Sequence, residues 1–246
     1  MHMAKGSKTW MVGLLGVLIF MGWFFSLRLT SPWTDVVDFN GAVWSQAAHN
    51  LLQAGLRATA GVPSVFYFGP MPIPADGFYG HHPALLHLEL ALFFKLFGEH
   101  EWAARLLPIL CSLASAVLIW LLVKRNAGPR AATFSAALFA ALPMELHYGS
   151  MVNFEPCTLM WMLLGLLGLQ RWEDHEKGSG KRLWWTVMVG SFALAMFTAW
   201  LGYFLVLPLC VYFAFAEGGR RRSLGLLLFG IALFSGAVFL LQIRMV

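Results

Sequence analysis

The stretch PALLHLELALFFKLF, residues 83–97, decides how this chain is threaded. Its apolar run is short of the roughly 20 residues that a spanning helix needs. It also carries His87, Glu89 and Lys95. If it stays on one side of a membrane, with the N-terminus cytoplasmic, then Lys5, Lys8, Lys124, Arg125, Arg130, Arg171, Lys177, Lys181, Arg182, Arg220, Arg221 and Arg222 all fall in the cytoplasm. Arg28, Arg57, Lys95, Arg105 and Arg244 are left outside. If it crosses, every later loop changes sides and the bias inverts. Basic residues accumulate in cytoplasmic loops, so the non-crossing reading is preferred.

The rest of the chain supports a membrane setting. Of 246 residues, 59% are hydrophobic and only 12% charged, against about 25% charged in soluble domains. Apolar segments run at 10–27, 102–123, 131–147, 156–170, 183–199, 201–216 and 223–242. Lys5 and Lys8 precede WMVGLLGVLIFMGWFFSL, but no A-x-A cleavage site follows, so this segment reads as a retained anchor. The net charge of +5 reflects the basic cytoplasmic loops, and no nucleic-acid motif is present. Cys111, Cys157 and Cys210 all lie in apolar runs and read as small buried side chains.

The expected fold is all-α: a polytopic transmembrane bundle of about seven spans. Residues 1–27 form the first span, 28–101 an outer loop with juxtamembrane helices, and 102–246 about six further helices. The chain ends at FLLQIRMV directly after an apolar run, which reads as the N-terminal part of a longer protein.

This threading places Asp35, Asp38, Asp76, Glu89, Glu99, Glu101 and Glu155 on the outer side with His49, His81, His82, His87 and His100. Within the loop, FNGAVWSQAAHNLLQAG (39–55) repeats apolar residues at helical spacing and ends on Gly55, a helix stop. Its stripe, with Trp44, suits a helix lying in the membrane interface. The following GVPSVFYFGPMPIPADGFYGHHP is long and rich in proline, glycine and aromatics, and loops of that length are usually functional. Pro83 is placed to open the next helix.

Asp38 heads the 39–54 helix, so it reads either as an N-cap or as a carboxylate that accepts a proton from an attacking hydroxyl. Asp35, three residues earlier, is placed for either role. Glu155 lies where one span gives way to the next, with Pro156 marking a helix start; acids in such places are costly. Glu145 is near the same mouth. His81 and His82 are interfacial histidines or ligands, and a divalent metal on Asp38, His82 and Glu155 is conceivable. There is no HExxH, P-loop, GxSxG or GxGxxG, which argues against a hydrolase or an ATP-driven machine.

The order of parts resembles that of the GT-C membrane glycosyltransferases of family 39, the protein O-mannosyltransferase and lipid A aminoarabinose transferase relatives. The resemblance rests on TDVVDFNGAVWSQAAHNLLQAG after the first span, HHPALLHLELALFFKLFGEHEWAARLLPIL, the basic turn KRNAGPR, and ALFAALPMELHYGSMVNFEP. It covers residues 10 to 172; past 180 only hydrophobicity matches. It implies transfer of a sugar from a polyprenyl-phosphate donor to an acceptor hydroxyl of a lipid, glycan or protein, at the outer face of a bacterial-type cytoplasmic membrane. Asp38, with Asp35 as fallback, would be the base or acceptor-orienting acid and Glu155 its partner. His82–Pro83 match the family's H-P motif. Tyr79, His81, His82, Arg57 and Arg105 are candidate substrate contacts, an arginine meeting the donor phosphate. No cofactor is implied beyond a possible divalent metal. The chain departs from the pattern in its separated acids, its H-P-A in place of H-P-P, and the missing C-terminal half.

Two other classes fit a polytopic chain. Transporters of lipids or small solutes keep their polar residues near the bilayer midplane and often show inverted repeats; here the acids sit in an outer loop and no repeat is visible. A non-catalytic membrane subunit would use the aromatic loop for docking.

Overall fold

The computed structural model describes residues 2–34, 38–175, 178–215 and 219–246. Its elements among these residues are helical. Helix α1 (His2–Ser26) leads to α2 (Phe39–Ala54), the single turn α3 (Leu56–Thr59) and, after the aromatic loop, α4 (Leu85–Phe97). The long α5 (Glu101–Ala141) is followed by the short α6 (Pro143–Tyr148), α7 (Phe154–Asp174), α8 (Ser179–Thr198), α9 (Leu201–Phe215) and α10 (Gly219–Arg244).

Helix α5 is two limbs. Gly128 takes φ 81° and ψ 171°, outside the helical region, a conformation open to glycine but costly for other residues. Pro129 follows, where a missing N–H costs least. The limbs pack on each other: Trp120 meets Ala132 and Ala136, and its Nε1 donates to Thr133 Oγ1 at 3.0 Å. This is the basic turn expected between two apolar segments. Helix α1 lies against both limbs through Met21, Phe25, Ile109, Ala116 and Ala140.

Among the described residues, three helices are long and apolar enough to cross a membrane: Thr9–Ser26, Glu101–Ala141 and Arg221–Arg244, with Leu201–Phe215 apolar but shorter. The seven apolar segments of the sequence fall on α1, the two limbs of α5, α7, α8, α9 and α10. The third stops earlier than expected, because Leu142 is extended and Pro143 starts α6.

Helices α7 and α8 approach closely because α7 offers glycines. A Cβ at Gly168 would stand 2.7 Å from the backbone nitrogen of Met188, and one at Gly165 would stand 2.5 Å from the Phe192 ring. Small residues of this kind let helices touch where lipid provides no hydrophobic drive. Met188, Phe192, Met196, Val206 and Leu228 then close a core with α9 and α10.

Helix α2 ends as expected. Gly55 takes φ 82°, and its N–H bonds Leu51 O. Its setting differs from the sequence expectation. Trp44 is not an interface anchor: it is buried with Ala48 and Leu51 against Leu86, Leu90 and Phe154. The opposite, polar face is used as well. Buried Asn50 donates to Ser64 O at 2.9 Å and Tyr67 O at 2.8 Å, and Gln46 donates to Tyr67 O at 3.0 Å. These amides bind the aromatic loop to α2 by satisfying its backbone carbonyls.

Candidate active site

Asp38 stands at the N-cap position of α2 but makes no side-chain capping bond there. The expected cap is replaced by an ionic cluster. Oδ1 accepts from Arg105 Nη2 at 3.0 Å, and Oδ2 accepts from Arg28 Nη2 at 3.2 Å and from the Thr34 N–H at 3.3 Å. Asp38 and Arg105 are 6% and 4% exposed, while the Arg28 side chain is half exposed. Charge-assisted bonds of this kind are stronger than neutral ones, and a charge this buried is tolerated only when paired.

Arg105 is set by more than Asp38. Nη1 donates to Leu29 O at 3.2 Å and also to Ser31 O. Its guanidinium lies 4.1 Å over the Trp33 ring, a cation–π contact. Trp33 in turn fits only because residue 41 is glycine; a Cβ there would come 2.3 Å from the ring. Arg105 is therefore a fixed partner of the acid. Arg28, on the exposed side of the cluster, is the arginine with access to a ligand. Arg28, Asp38 and Arg105 line a cavity of about 240 Å³ with Trp33, His147 and Ser150.

Glu155 lies in the first turn of α7 and is exposed. Helix α7 begins at Phe154, two residues before Pro156, which sits within the first turn. Glu155 does not line the cavity of Asp38. It shares one of about 530 Å³ with Glu145, Tyr148 and Leu201, and also borders one of about 270 Å³ containing Tyr79 and His82. The walls are nearly continuous: Gly41, Met151 and Val152 line the Asp38 cavity, and Asn40 and Asn153 line the Tyr79 cavity. Asn40 Nδ2 and Met151 Sδ meet at 3.6 Å in the partition.

His82 is stacked between Phe154 (centroids 4.5 Å, 15°) and Tyr79 (5.7 Å, 13°). Burial, and then the neighbouring His81, lower its pKa, so it is a neutral ring. His81 is exposed, and its carbonyl accepts from Trp200 Nε1 at 2.9 Å. Arg57 is exposed on α3, away from both cavities. Asp35 lies outside the described residues. Among the described residues, no three His, Cys, Asp or Glu side chains are grouped to hold a metal ion; Asp38, His82 and Glu155 are not brought together in one cavity. The three cysteines are buried free thiols, and the Cys111 and Cys157 sulfurs lie 3.5 Å apart.

Sequence reasoning passed over Arg28 and Glu89. Glu89, on α4, accepts from Trp161 Nε1 at 3.3 Å while its other oxygen is buried with no partner among the described residues. Burial pushes its carboxyl up to about 7, the tryptophan bond pulling the other way. A glutamate inside LLHLELALFFKLF was the available signal, because an acid on an apolar helix is costly. Burial likewise raises Glu145, with a Ser112 bond opposing.

Residues 81–243 match the dolichyl-phosphate-mannose-protein mannosyltransferase family. The chain belongs to this family. The match extends well past residue 180, where the sequence had suggested that only hydrophobicity was shared. The chain is 26% identical over 230 residues to undecaprenyl phosphate-alpha-4-amino-4-deoxy-L-arabinose arabinosyl transferase 1 of Pseudomonas fluorescens, covering 91% of this chain and 38% of that relative. It is 25% identical over 148 residues to the corresponding transferase of Pseudomonas aeruginosa, covering 58% of this chain and 26% of the relative. Two crystal structures of ArnT from Cupriavidus metallidurans share its fold, each at 20% identity and each covering 96% of this chain and 42% of theirs. The apo form superposes with a TM-score of 0.63, and the form bound to undecaprenyl phosphate with 0.62. The chain thus has the GT-C fold of multi-pass membrane glycosyltransferases, and it spans about two fifths of the length of the first of these relatives.

Proposed function

We propose that the protein transfers a sugar from a polyprenyl-phosphate donor to an acceptor hydroxyl, at the outer face of a bacterial cytoplasmic membrane. The observation that carries this reading is the Asp38–Arg105–Arg28 cluster lining a cavity beside α1 in a chain of this family. A carboxylate fixed by one buried arginine, with a second and accessible arginine beside it, suits a reaction that needs both a proton acceptor and a phosphate partner.

In this mechanism Arg105 holds Asp38 and Arg28 meets the donor phosphate as it gathers charge. The acceptor oxygen bonds to the anomeric carbon, the bond from that carbon to the phosphate oxygen breaks, and the hydroxyl proton passes to a carboxylate. Polyprenyl phosphate leaves as the phosphate anion. Asp38 is the base or the group that orients the acceptor, with Glu155 shaping the site from the neighbouring cavity. Positioning supplies much of the rate, because the lipid phosphate is already an adequate leaving group. The test is sugar release from polyprenyl-phosphate sugars by the complete protein in vesicles. Turnover with at least one donor is expected; no turnover with any neutral, amino or acidic sugar would overturn the reading.

A further inference from the structure

A groove of about 580 Å³ opens between α1 and the second limb of α5, lined by Trp10, Arg130, Thr133 and Phe134 with alanines between them. Trp10 is roughly 24 Å along α1 from Ser26, at 1.5 Å per residue, so the groove is at the other end of the bundle from the Asp38 cluster. Helix α1 closes one flank by near approach: a Cβ at Gly13 would stand 2.8 Å from Thr133 Cγ2. Thr133 Oγ1 lies 3.0 Å from Trp10 O and accepts from Trp120 Nε1 at 3.0 Å, so this hydroxyl belongs to the helix contact. The two remaining polar side chains are donors. Arg130 is exposed and makes no hydrogen bond or ion pair among the described residues, and the Trp10 indole N–H makes no hydrogen bond among them.

Other cations at this end are committed elsewhere. Lys124 lies 4.4 Å over the Trp120 ring, Arg125 pairs with Asp174, and Arg221 pairs with Glu173. No acid on the groove's own helices offsets Arg130: α1 carries no Asp or Glu, and α5 carries none after Glu101. Two donors and a positive charge, with no carboxylate, favour a ligand built of acceptors and negative charge. The rest of the surface is apolar. Phe134, 70% exposed, and Leu138, 55% exposed, follow Arg130 at four-residue steps, so they continue one face of the helix for roughly 12 Å beyond the charge. A charged head with an apolar stripe leading away from it matches an amphiphile rather than a soluble anion.

We infer that this groove binds an anionic phospholipid of the cytoplasmic leaflet, its phosphodiester on Arg130 and the Trp10 N–H and an acyl chain along Phe134 and Leu138. The leaflet follows from the threading that puts the N-terminus and the basic turn at 124–130 in the cytoplasm, and tryptophans concentrate at headgroup depth. Basic pockets between spanning helices on that side hold acidic headgroups by the same chemistry. A zwitterionic headgroup brings its own ammonium towards an unpaired guanidinium and is held less well. The site is independent of the sugar-transfer reading and stands or falls without it.

The experiment measures binding of phosphatidylglycerol and of phosphatidylcholine with the same chains to the complete, delipidated protein in neutral detergent, by native mass spectrometry. Phosphatidylglycerol is expected to bind about fivefold more tightly. That preference should fall below about twofold in Arg130→Gln and persist in Arg182→Gln, which removes an exposed cation outside the groove. Phe134→Ala should weaken both lipids alike, and glycerol 1-phosphate at the lipid's concentration should not compete. Equal binding of the two lipids by the parent, or a preference that survives Arg130→Gln, would overturn the site. Equal loss in Arg182→Gln would overturn it in favour of diffuse surface charge, and competition by glycerol 1-phosphate would overturn it in favour of a site for free phosphate. Binding of neither lipid would overturn it as well, as when another part of the complete chain covers the groove.

Discussion

Asp38 and Arg105 are 67 positions apart in the chain and meet at 3.0 Å, each almost wholly shielded from solvent. Their pairing ties the start of α2 to the N-terminal part of α5. It gives Asp38 one orientation, and it takes Arg105 out of the set of groups free to bind a phosphate.

Breaking such a pair from one side leaves a buried charge alone. Asp38→Ala is expected to lose about 3–5 kcal/mol of stability, and Arg105→Met should be similarly damaging because Leu29 O and Ser31 O also lose a donor. The double variant should lose less than the two singles combined, by about 1–3 kcal/mol. Chemical denaturation in detergent measures this; strictly additive losses would show that the two residues do not stabilise one another.

Gly41 links this cluster to packing. In Gly41→Ala the new methyl would come 2.3 Å from the Trp33 ring, which must shift and so disturb its contact with Arg105. A loss of about 1–3 kcal/mol is expected, together with weaker binding of polyprenyl phosphate. An unchanged melting temperature would contradict the close packing of Trp33 on α2.

Much of the architecture was legible because apolar length and glycine punctuation are local signals. Helix α2 with Gly55 as its stop, the break at 124–130 and the buried cysteines all follow from neighbours in the chain. The Asp38–Arg105 pair does not: each residue had a plausible separate role, as helix cap or base and as phosphate ligand, and only the fold brings them together. Trp44 was misplaced for a related reason, since an amphipathic helix buries its stripe equally well in lipid or in protein. Asp38 and Glu155 were read as one site because they share a face of the membrane, whereas the chain between Gly149 and Phe154 separates their cavities.

Glu89 should make stability depend on pH. Its folded pKa is raised by burial to about 7 from an ordinary 4.5. Between those values the folded state holds the proton more tightly than the unfolded state does, so this group's contribution is fully present below the ordinary value. It is lost as pH rises through about 7. Glu89→Gln should flatten the fall in melting temperature between pH 5 and 8, and should melt above the parent at pH 8. A parallel fall in both proteins would place the pH dependence elsewhere.

The most direct test of the central claim compares sugar transfer from a polyprenyl-phosphate donor by the parent protein, Asp38→Asn and Glu155→Gln, at matched amounts of folded protein in vesicles. The account predicts turnover in the parent, a loss of about 10²–10⁴-fold in Asp38→Asn and a smaller loss in Glu155→Gln. Parent-level turnover in Asp38→Asn would contradict it, reducing the Asp38–Arg105 pair to a clamp between α2 and α5.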